Sequence, residues 1–324
     1  LCMLPIRNVV SWTALIGGYV EHGYGQEALK CFEKTELEGI SPSLITFVCV
    51  LKACGSIGDI VKGREIHAEV ERRGLSTGKE LMVANTIIDM YAKCGFLASA
   101  RHVFEKLLVQ DVVSWTTLIA GYVEYGHGEE ALKCFGKMQL EGTSPDPVTF
   151  VCALKACISI GAIEEGQEIH YQIERKGLLE RNLFVGSTLN DMYNKCGLIE
   201  KAEEVFDKIL VRNTITWNAL VSGYAQLGNS ENVFHTFNQL IVDNIEPNLT
   251  TFISVLNACS HAGLVVFGQI YFEALINDYC LVPTRDHFTC MVDILARAGD
   301  LATALSIIEK MPFLPDIVIW HIVM

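Results

Sequence analysis

The stretch VVSWTTLIAGYVEYGHGEEALKCFGKMQLEGTSPD, residues 112–146, decides the fold. Trp115, Ile119 and Tyr122 are spaced by four and three residues, so they lie on one face of a predicted helix. The letters YGHG then interrupt the helical pattern. The stretch therefore begins with one amphipathic helix that ends at a glycine break.

A second helix follows the break formed by Gly126 and Gly128. Ala131, Phe135 and Met138 repeat the same spacing, and the letters EGTSP stop the pattern. Helices of about a dozen residues are marginal alone in water. The hairpin is therefore predicted to be stable only when it stacks on similar neighbours.

Such neighbours are present, because the opening phrase recurs as VVSWTALIGGYVE from residue 9 and TITWNALVSGYAQ from residue 214. The four tryptophans, at positions 12, 115, 217 and 320, are separated by 103, 102 and 103 residues. Each long unit divides into three related phrases, which in the second copy are 35, 36 and 31 residues long. A period of about 34 residues is typical of helical solenoids.

We therefore predict an all-α chain, a right-handed superhelical solenoid of tandem helix-turn-helix repeats, since no pattern alternates strand with helix. Residues 1–8 are predicted to end a preceding repeat and residues 317–324 to start a C-terminal extension. The nine predicted repeats are 9–43, 44–80, 81–111, 112–146, 147–182, 183–213, 214–248, 249–284 and 285–316.

Composition restricts the function. The net charge of −13 argues against a protein that coats nucleic acid through bulk electrostatics. The 12 cysteines contain no CxxC pair, which favours packing in a reducing compartment over a disulfide framework or a zinc site. No apolar run reaches the roughly 18 residues of a membrane span. The chain lacks an initiator Met and a transit peptide, so we expect its true beginning to be missing.

The phrases resemble the repeats of the pentatricopeptide repeat family, in its plant PLS-type branch, where three repeat variants of different length alternate. The 35-residue variant is matched by VVSWTALIGGYVEHGYGQEALKCFEK, the long variant by GREIHAEVERRGL and the short variant by NTIIDMYAKCGFLASARHVFEKL. The phrase HFTCMVDILARAGDLATALSIIEKMPFLPD resembles the last short repeat before the C-terminal E/DYW extension of these proteins. We expect the chain to be truncated before that extension is complete.

This resemblance implies sequence-specific binding of single-stranded RNA in mitochondria, or alternatively in chloroplasts. Its most common use in the family is to select a cytidine for conversion to uridine. A deaminase or editing factor would then be a partner protein supplied in trans. The resemblance implies no catalytic site, no cofactor, no metal, no small-molecule substrate and no membrane partner.

The resemblance also implies which residues read the RNA. In the family, the fifth residue of the first helix and the last residue of the repeat read one base together. We call them the reading residue and the closing residue. The pairs are Thr13 with Ser43, Asn85 with Asp111, Thr116 with Asp146, Ser187 with Asn213, Asn218 with Asn248, and Thr289 with Asp316.

By the family's code the four central pairs imply U, G, A and a pyrimidine, whereas Thr289 with Asp316 implies G and Thr13 with Ser43 is an unusual combination. The long repeats have Val48, Val151 and Ile253 as reading residues, which cannot hydrogen-bond a base. The second residue of the first helix, here the flanking residue, would contact the base from the side. The flanking residues are Val10, Met82, Val113, Phe184 and Ile215, and the expected phosphate contacts are Lys93 and Lys195.

Simpler roles compete with these. The Asp and Asn closing residues are good N-caps, and the polar reading residues could be solvated residues on a helix face. The tryptophans could stack on bases, but their spacing from aliphatic residues favours the core. HAE at residues 67–69 lacks the Pro-Cys-x-x-Cys half of a deaminase signature. The competing function is a scaffold that binds proteins, which would not require recurring polar pairs.

Overall fold

The structure is a computed structural model that describes residues 8–75 and 81–323. The predicted end of a preceding repeat, the end of the second repeat and the last residue fall largely outside these ranges. Within them the chain is helical and contains no strand, so the predicted all-α class is confirmed. No helix in the described part is long and apolar enough to cross a membrane. The chain divides into two compact units at Ala162.

The first unit stacks helical hairpins through their first helices. Helices α1, α3, α5, α7 and α9 pack on one another in that order, and each of the first four also packs on the helix that follows it. The helices of this unit are α1 (Val9–Glu21), α2 (Gly25–Leu37), α3 (Leu44–Ile57), α4 (Ile60–Arg72), α5 (Leu81–Lys93), α6 (Leu97–Glu105), α7 (Val112–Glu124), α8 (Gly128–Leu140) and α9 (Pro147–Ile160).

The second unit has the same internal arrangement, with α12, α14, α16, α18 and α20 in a row. It includes one short helix, α11, that the sequence pattern does not predict. Its helices are α10 (Ile163–Arg175), α11 (Leu178–Arg181), α12 (Leu183–Lys195), α13 (Ile199–Lys208), α14 (Thr214–Gln226), α15 (Ser230–Val242), α16 (Leu249–Ala262), α17 (Val265–Asn277), α18 (Arg285–Arg297), α19 (Leu301–Lys310) and α20 (Ile317–Val323).

The tryptophans of the repeated phrase belong to the core, as predicted. Trp115 and Trp217 are 1% and 2% exposed, so they offer no platform to a base. Trp115 packs edge-on against Phe104 at 4.5 Å, and Trp217 packs in the same way against Phe206 at 4.6 Å. Such pairs stabilise a core by about 1 kcal/mol beyond the area they bury. Each of these two tryptophans thus packs a first helix against the second helix of the preceding hairpin.

The glycines of the turn have separate roles, which corrects the expectation that Gly126 and Gly128 break the helix together. Gly126 has a φ of 74°, which is the left-handed conformation that ends a helix. Gly128 instead begins α8. A Cβ at Gly128 would lie 2.5 Å from Ser159 Oγ at the end of α9, so only glycine permits this close approach.

Candidate functional site

The closing residues cap the first helix of the next repeat, as predicted. Asp111 Oδ1 accepts the backbone N–H of Ser114 at 2.8 Å, and Asp146 Oδ1 accepts that of Thr149 at 2.8 Å. This contact satisfies one of the amide groups that a helix N-terminus leaves without a partner. The same contact is made by Ser43, Asn213, Asn248 and Asp316.

The polar reading residues are not solvated helix-face residues. Their exposed fractions are 9% for Asn85, 9% for Thr116, 5% for Ser187 and 8% for Asn218. Adjacent first helices pack side by side in each unit, and the fifth residue of one helix lies beside the start of the next. We call the contact between two adjacent first helices the seam. A buried polar group needs hydrogen-bond partners, so these side chains must be paired within the seam.

Thr116 is joined to its closing residue through a third side chain. Thr149 Oγ1 lies 2.7 Å from Thr116 Oγ1 and donates to Asp146 Oδ1 at 2.8 Å. A hydroxyl has one proton, so Thr149 accepts from Thr116 once its own proton is given to the carboxylate. Thr116 and Asp146 then offer only acceptors to a ligand.

The Ser187 site repeats this arrangement with a different closing residue. Thr216 Oγ1 donates to Asn213 Oδ1 at 2.9 Å and lies 3.0 Å from Ser187 Oγ. Because the Thr216 amide also donates to Asn213 Oδ1, at 3.0 Å, the amide group of Asn213 is oriented with its NH2 outward. Ser187 therefore offers acceptors and Asn213 offers donors.

The Asn218 site offers donors from both members of the pair. Thr251 Oγ1 donates to Asn218 Oδ1 at 2.6 Å, and Asn218 Nδ2 donates to Asn248 Oδ1 at 2.9 Å. Both carbonyl oxygens are thereby occupied. The groups left for a ligand are the remaining N–H of Asn218 and the NH2 of Asn248.

The Asn85 pair is in direct contact. Asn85 Nδ2 donates to Asp111 Oδ1 at 3.4 Å, whereas Ser114 Oγ donates to the backbone carbonyl of Asp111 and does not bridge. Asn85 Oδ1 is buried and has no hydrogen-bond partner among the described residues. The pair offers one N–H from Asn85 and the second carboxylate oxygen of Asp111.

The first pair is joined through a third hydroxyl, with a fixed direction of donation. Thr13 Oγ1 gives its one proton to the Val9 carbonyl at 2.7 Å, so Thr46 Oγ1 donates to Thr13 at 2.6 Å and accepts from Ser43 Oγ at 2.8 Å.

The last pair is not brought together. Thr289 Oγ1 donates to the backbone carbonyl of Arg285 at 3.0 Å, and Asp316 pairs with the Arg285 guanidinium at 3.5 Å.

The flanking residues are exposed and form the side walls of two clefts. One cleft, of about 420 Å³, is lined by Met82, Val113, Asn85 and Asp111. The next, of about 430 Å³, is lined by Val113, Val148, Thr116 and Asp146. Each cleft has aliphatic side walls and a polar pair at its base, and Val113 is a wall of both. The predicted flanking residues, with exposed fractions of 51% to 70%, are Val10, Met82, Val113, Phe184 and Ile215.

The long repeats have an aliphatic residue at the reading position. Val48 is 7% exposed, and Val151 and Ile253 are half-buried. The third residue of the next first helix is Val83 or Val185 after the first two, and His287 after Ile253. Val48 and Val83 are therefore both aliphatic, whereas after Ile253 the buried His287 contacts the Thr284 hydroxyl at 2.8 Å.

The cations of this face fall into two groups. Lys93 and Lys195 pair with the aspartate one turn earlier, at 2.8 Å from Asp89 and 2.9 Å from Asp191. These predicted phosphate contacts are thus already neutralised in part. Lys52, in the long repeats' KAC phrase, lines the first cleft, is exposed and forms no ion pair with a described residue. The sequence reasoning missed Lys52, although its recurrence at residue 155 was visible.

Burial raises the pKa of the Cys54 and Cys259 thiols to about 12. Such thiols are poor nucleophiles and poor metal ligands at neutral pH. Among the described residues no cluster of three or more His, Cys, Asp or Glu side chains could hold a metal ion. Cys54, Cys157 and Cys259 pack in the core, which agrees with their interpretation from sequence, whereas Cys94 and Cys196 are half-buried.

Family models match most of the chain. A model described as the PPR repeat family matches residues 7–56, 110–159 and 212–261. A second, described as the PPR repeat, matches residues 83–112, 188–214 and 286–313. Eight of the nine reading positions lie within the matched ranges and Ser187 directly precedes one, and together the matches cover more than half of the chain.

Curated relatives come from Arabidopsis thaliana. A pentatricopeptide repeat-containing protein named as mitochondrial is 39% identical over 311 residues, which is 96% of this chain and 45% of the relative. Another, whose name gives no compartment, is 39% identical over 316 residues, covering 97% of this chain and 56% of the relative. The chain spans about half the length of these relatives.

Solved structures share the fold. The pentatricopeptide repeat protein PPR10 in complex with an 18-nucleotide psaJ RNA element has a TM-score of 0.77 and 18% identity, over 98% of this chain and 46% of that chain. A crystal structure of PPR10 from maize has a TM-score of 0.52 at 18% identity, over 98% of this chain and 51% of that chain. The tandem helical hairpins within each unit are therefore also found in solved pentatricopeptide repeat structures.

Proposed function

The chain belongs to the pentatricopeptide repeat family, and from that premise we propose that it binds single-stranded RNA and reads its sequence. The observation that carries the proposal is the pair of adjacent clefts that share Val113. Each cleft has the walls to hold a flat base and a polar pair to hydrogen-bond its edge. One base would occupy each cleft, and the bases would follow the order of the repeats.

The groups that each pair leaves free are complementary to the base that the family's code implies. Asn85 with Asp111 offers a donor and an acceptor, which suit O4 and N3–H of uracil. Thr116 with Asp146 offers only acceptors, which suit the N1–H and amino group of guanine. These are the bases that the family's code gives for the two pairs.

The two pairs of the second unit give the same agreement. Ser187 with Asn213 offers acceptors and a donor, which suit the amino group and N1 of adenine. Asn218 with Asn248 offers donors, which suit the acceptors of a pyrimidine. The proposed site on the RNA, from its 5′ end, is U-G-x-A-pyrimidine, where x faces the long repeat at residues 147–182.

We further propose a role in organelle RNA processing, as the factor that selects a site for C-to-U editing. The alternation of three repeat variants supports the PLS-type branch, and the mitochondrial names of several relatives support that compartment over the chloroplast. The chain would supply the address, and a deaminase or editing factor would be its partner protein. Lys93 and Lys195 remain proposed phosphate contacts.

Selection from a pool of single-stranded RNA with the purified chain tests the proposal. We expect enrichment of U-G-x-A-pyrimidine. The variant Asn85→Thr should shift the first base from U toward G, because threonine with Asp111 is the same residue pair as Thr116 with Asp146, and the Ser114 hydroxyl is then placed to bridge it. Thr188→Val, at a non-reading position on another first helix, is the control. No enrichment, or a base preference indifferent to Asn85→Thr, would leave only the protein-binding scaffold.

A further inference from the structure

The third residue of the following first helix, which we call the bridging residue, matches the reading residue in polarity. After the reading residues Thr13, Asn85, Thr116, Ser187 and Asn218, the bridging residues are Thr46, Ser114, Thr149, Thr216 and Thr251. After the aliphatic reading residues this position is valine or histidine. Two repeats are exceptions, since the polar His287 follows Ile253, and Ile319 follows Thr289 and makes no such bridge.

In four of these five sites the hydroxyl contacts the reading residue and the closing residue at once. The distances are 2.7 and 2.8 Å at Thr149, 3.0 and 2.9 Å at Thr216, and 2.6 and 3.2 Å at Thr251. The contact at Thr46 is of the same kind. A residue needed only for capping would contact the closing residue alone, as Ser114 does.

We propose that the bridging hydroxyl is a specificity-determining positioning residue, which sets the hydrogen-bonding groups that the other two present to the base. The inference rests on the RNA reading proposed above and deepens it. Thr149 need not touch the base. Its one proton goes to Asp146, so the Thr116 proton is drawn into the seam and only lone pairs of Thr116 face the cleft.

Removal of the bridge would free that proton. In Thr149→Val the Thr116 hydroxyl can turn to donate or to accept, so it can serve adenine N1 as well as the guanine N1–H. Valine at this position is compatible with the fold, because Val83 and Val185 occupy it elsewhere. The variant therefore separates base choice from helix packing.

The test measures the affinity of the full chain for four labelled RNAs that differ only in the base facing Thr116. We expect Thr149→Val to reduce the preference for G over A about tenfold, which corresponds to about 1.4 kcal/mol. Thr149→Ser, which keeps the hydroxyl, should retain the preference. Thr35→Val removes a buried hydroxyl on α2 and is the control for stability alone.

An unchanged preference for G over A in Thr149→Val would overturn the inference, and so would an equal loss of affinity for all four RNAs. If that variant fails to fold, Thr216→Val gives the same decision through the preference of the Ser187 site for A over G. A wild-type chain that binds none of the RNAs would instead refute the proposed function. RNA binding with normal base choice in both valine variants would refute the bridging role and leave the function standing.

Discussion

Thr116 and Val48 occupy the same position, the fifth residue of a first helix, and they are almost equally buried at 9% and 7% exposed. They differ in what the next first helix presents to them, since Thr149 stands at its third position in one case and Val83 in the other. The comparison teaches that polarity at this seam is a property of two adjacent repeats. A polar reading residue in this buried place needs a hydrogen-bond partner, and at Thr116, Ser187 and Asn218 the bridging residue supplies one.

The largest effect should come from a mismatch placed in the apolar seam. Val48→Asn buries an amide beside Val83, where no described residue offers a hydrogen-bond partner, which should lower the free energy of unfolding by about 2 kcal/mol. Urea unfolding followed by circular dichroism measures this loss.

The matched control is Val48→Thr, whose hydroxyl can donate to the backbone carbonyl one turn earlier, as Thr13 does to Val9 at 2.7 Å. We expect it to lose less than about 1 kcal/mol. Equal stability of the Asn variant and the wild type would show that the seam tolerates unmatched polarity.

A smaller effect should distinguish the cations of the two kinds of repeat. Lys52, in a long repeat, has no carboxylate partner among the described residues, whereas Lys93, in a short repeat, pairs with Asp89 at 2.8 Å. Lys52→Ala should lower the salt slope of RNA binding by about 0.7, the contribution of one phosphate contact on a single strand. Lys93→Ala should lower it by less.

The measurement is the dissociation constant at a series of salt concentrations. With few free cations on this face, the wild-type slope itself should be shallow. A loss of many decades of affinity between low and moderate salt would contradict the proposal that base edges, and not phosphates, supply most of the specificity.

The smallest effect concerns the second helices of the long repeats. His67 Nδ1 and His170 Nδ1 lie 3.0 and 2.8 Å from Tyr91 and Tyr193 hydroxyls. Burial lowers the pKa of both imidazoles below the ordinary value, against the opposing influence of a nearby glutamate on each. The third copy has Phe272 at this place and serves as a natural reference.

Because the folded state resists protonation of these imidazoles, the unfolded state takes up protons first as the pH falls. The contribution of these two imidazoles to the free energy of unfolding is therefore complete above about pH 6.5 and decreases below it. The melting temperature should be lower at pH 5.5 than at pH 7.5, and His67→Phe with His170→Phe should make that difference smaller. A pH dependence unchanged in the double variant would place its origin elsewhere, for example in His287, whose pKa burial also lowers.

Much of the fold was predictable because the periods of 3.6 and about 34 residues are both written in the sequence. The core role of Trp115 and the capping role of Asp146 were predicted and are confirmed. The burial of Asn85 and Thr116 was not predicted, since it depends on contacts between repeats. The sequence places Asp89 one turn before Lys93, but only the structure shows that their side chains form an ion pair at 2.8 Å, which partly neutralises the lysine.

The position of the bridging hydroxyl has a consequence for repeat transplantation. A segment cut at the folding boundary, such as residues 112–146, carries Thr116 and Asp146 but leaves Thr149 behind in the host. A graft that is meant to move a base preference should therefore extend three residues into the following helix. The unit that folds and the unit that would recognise a base therefore end at different residues, and a designed array must keep both units intact.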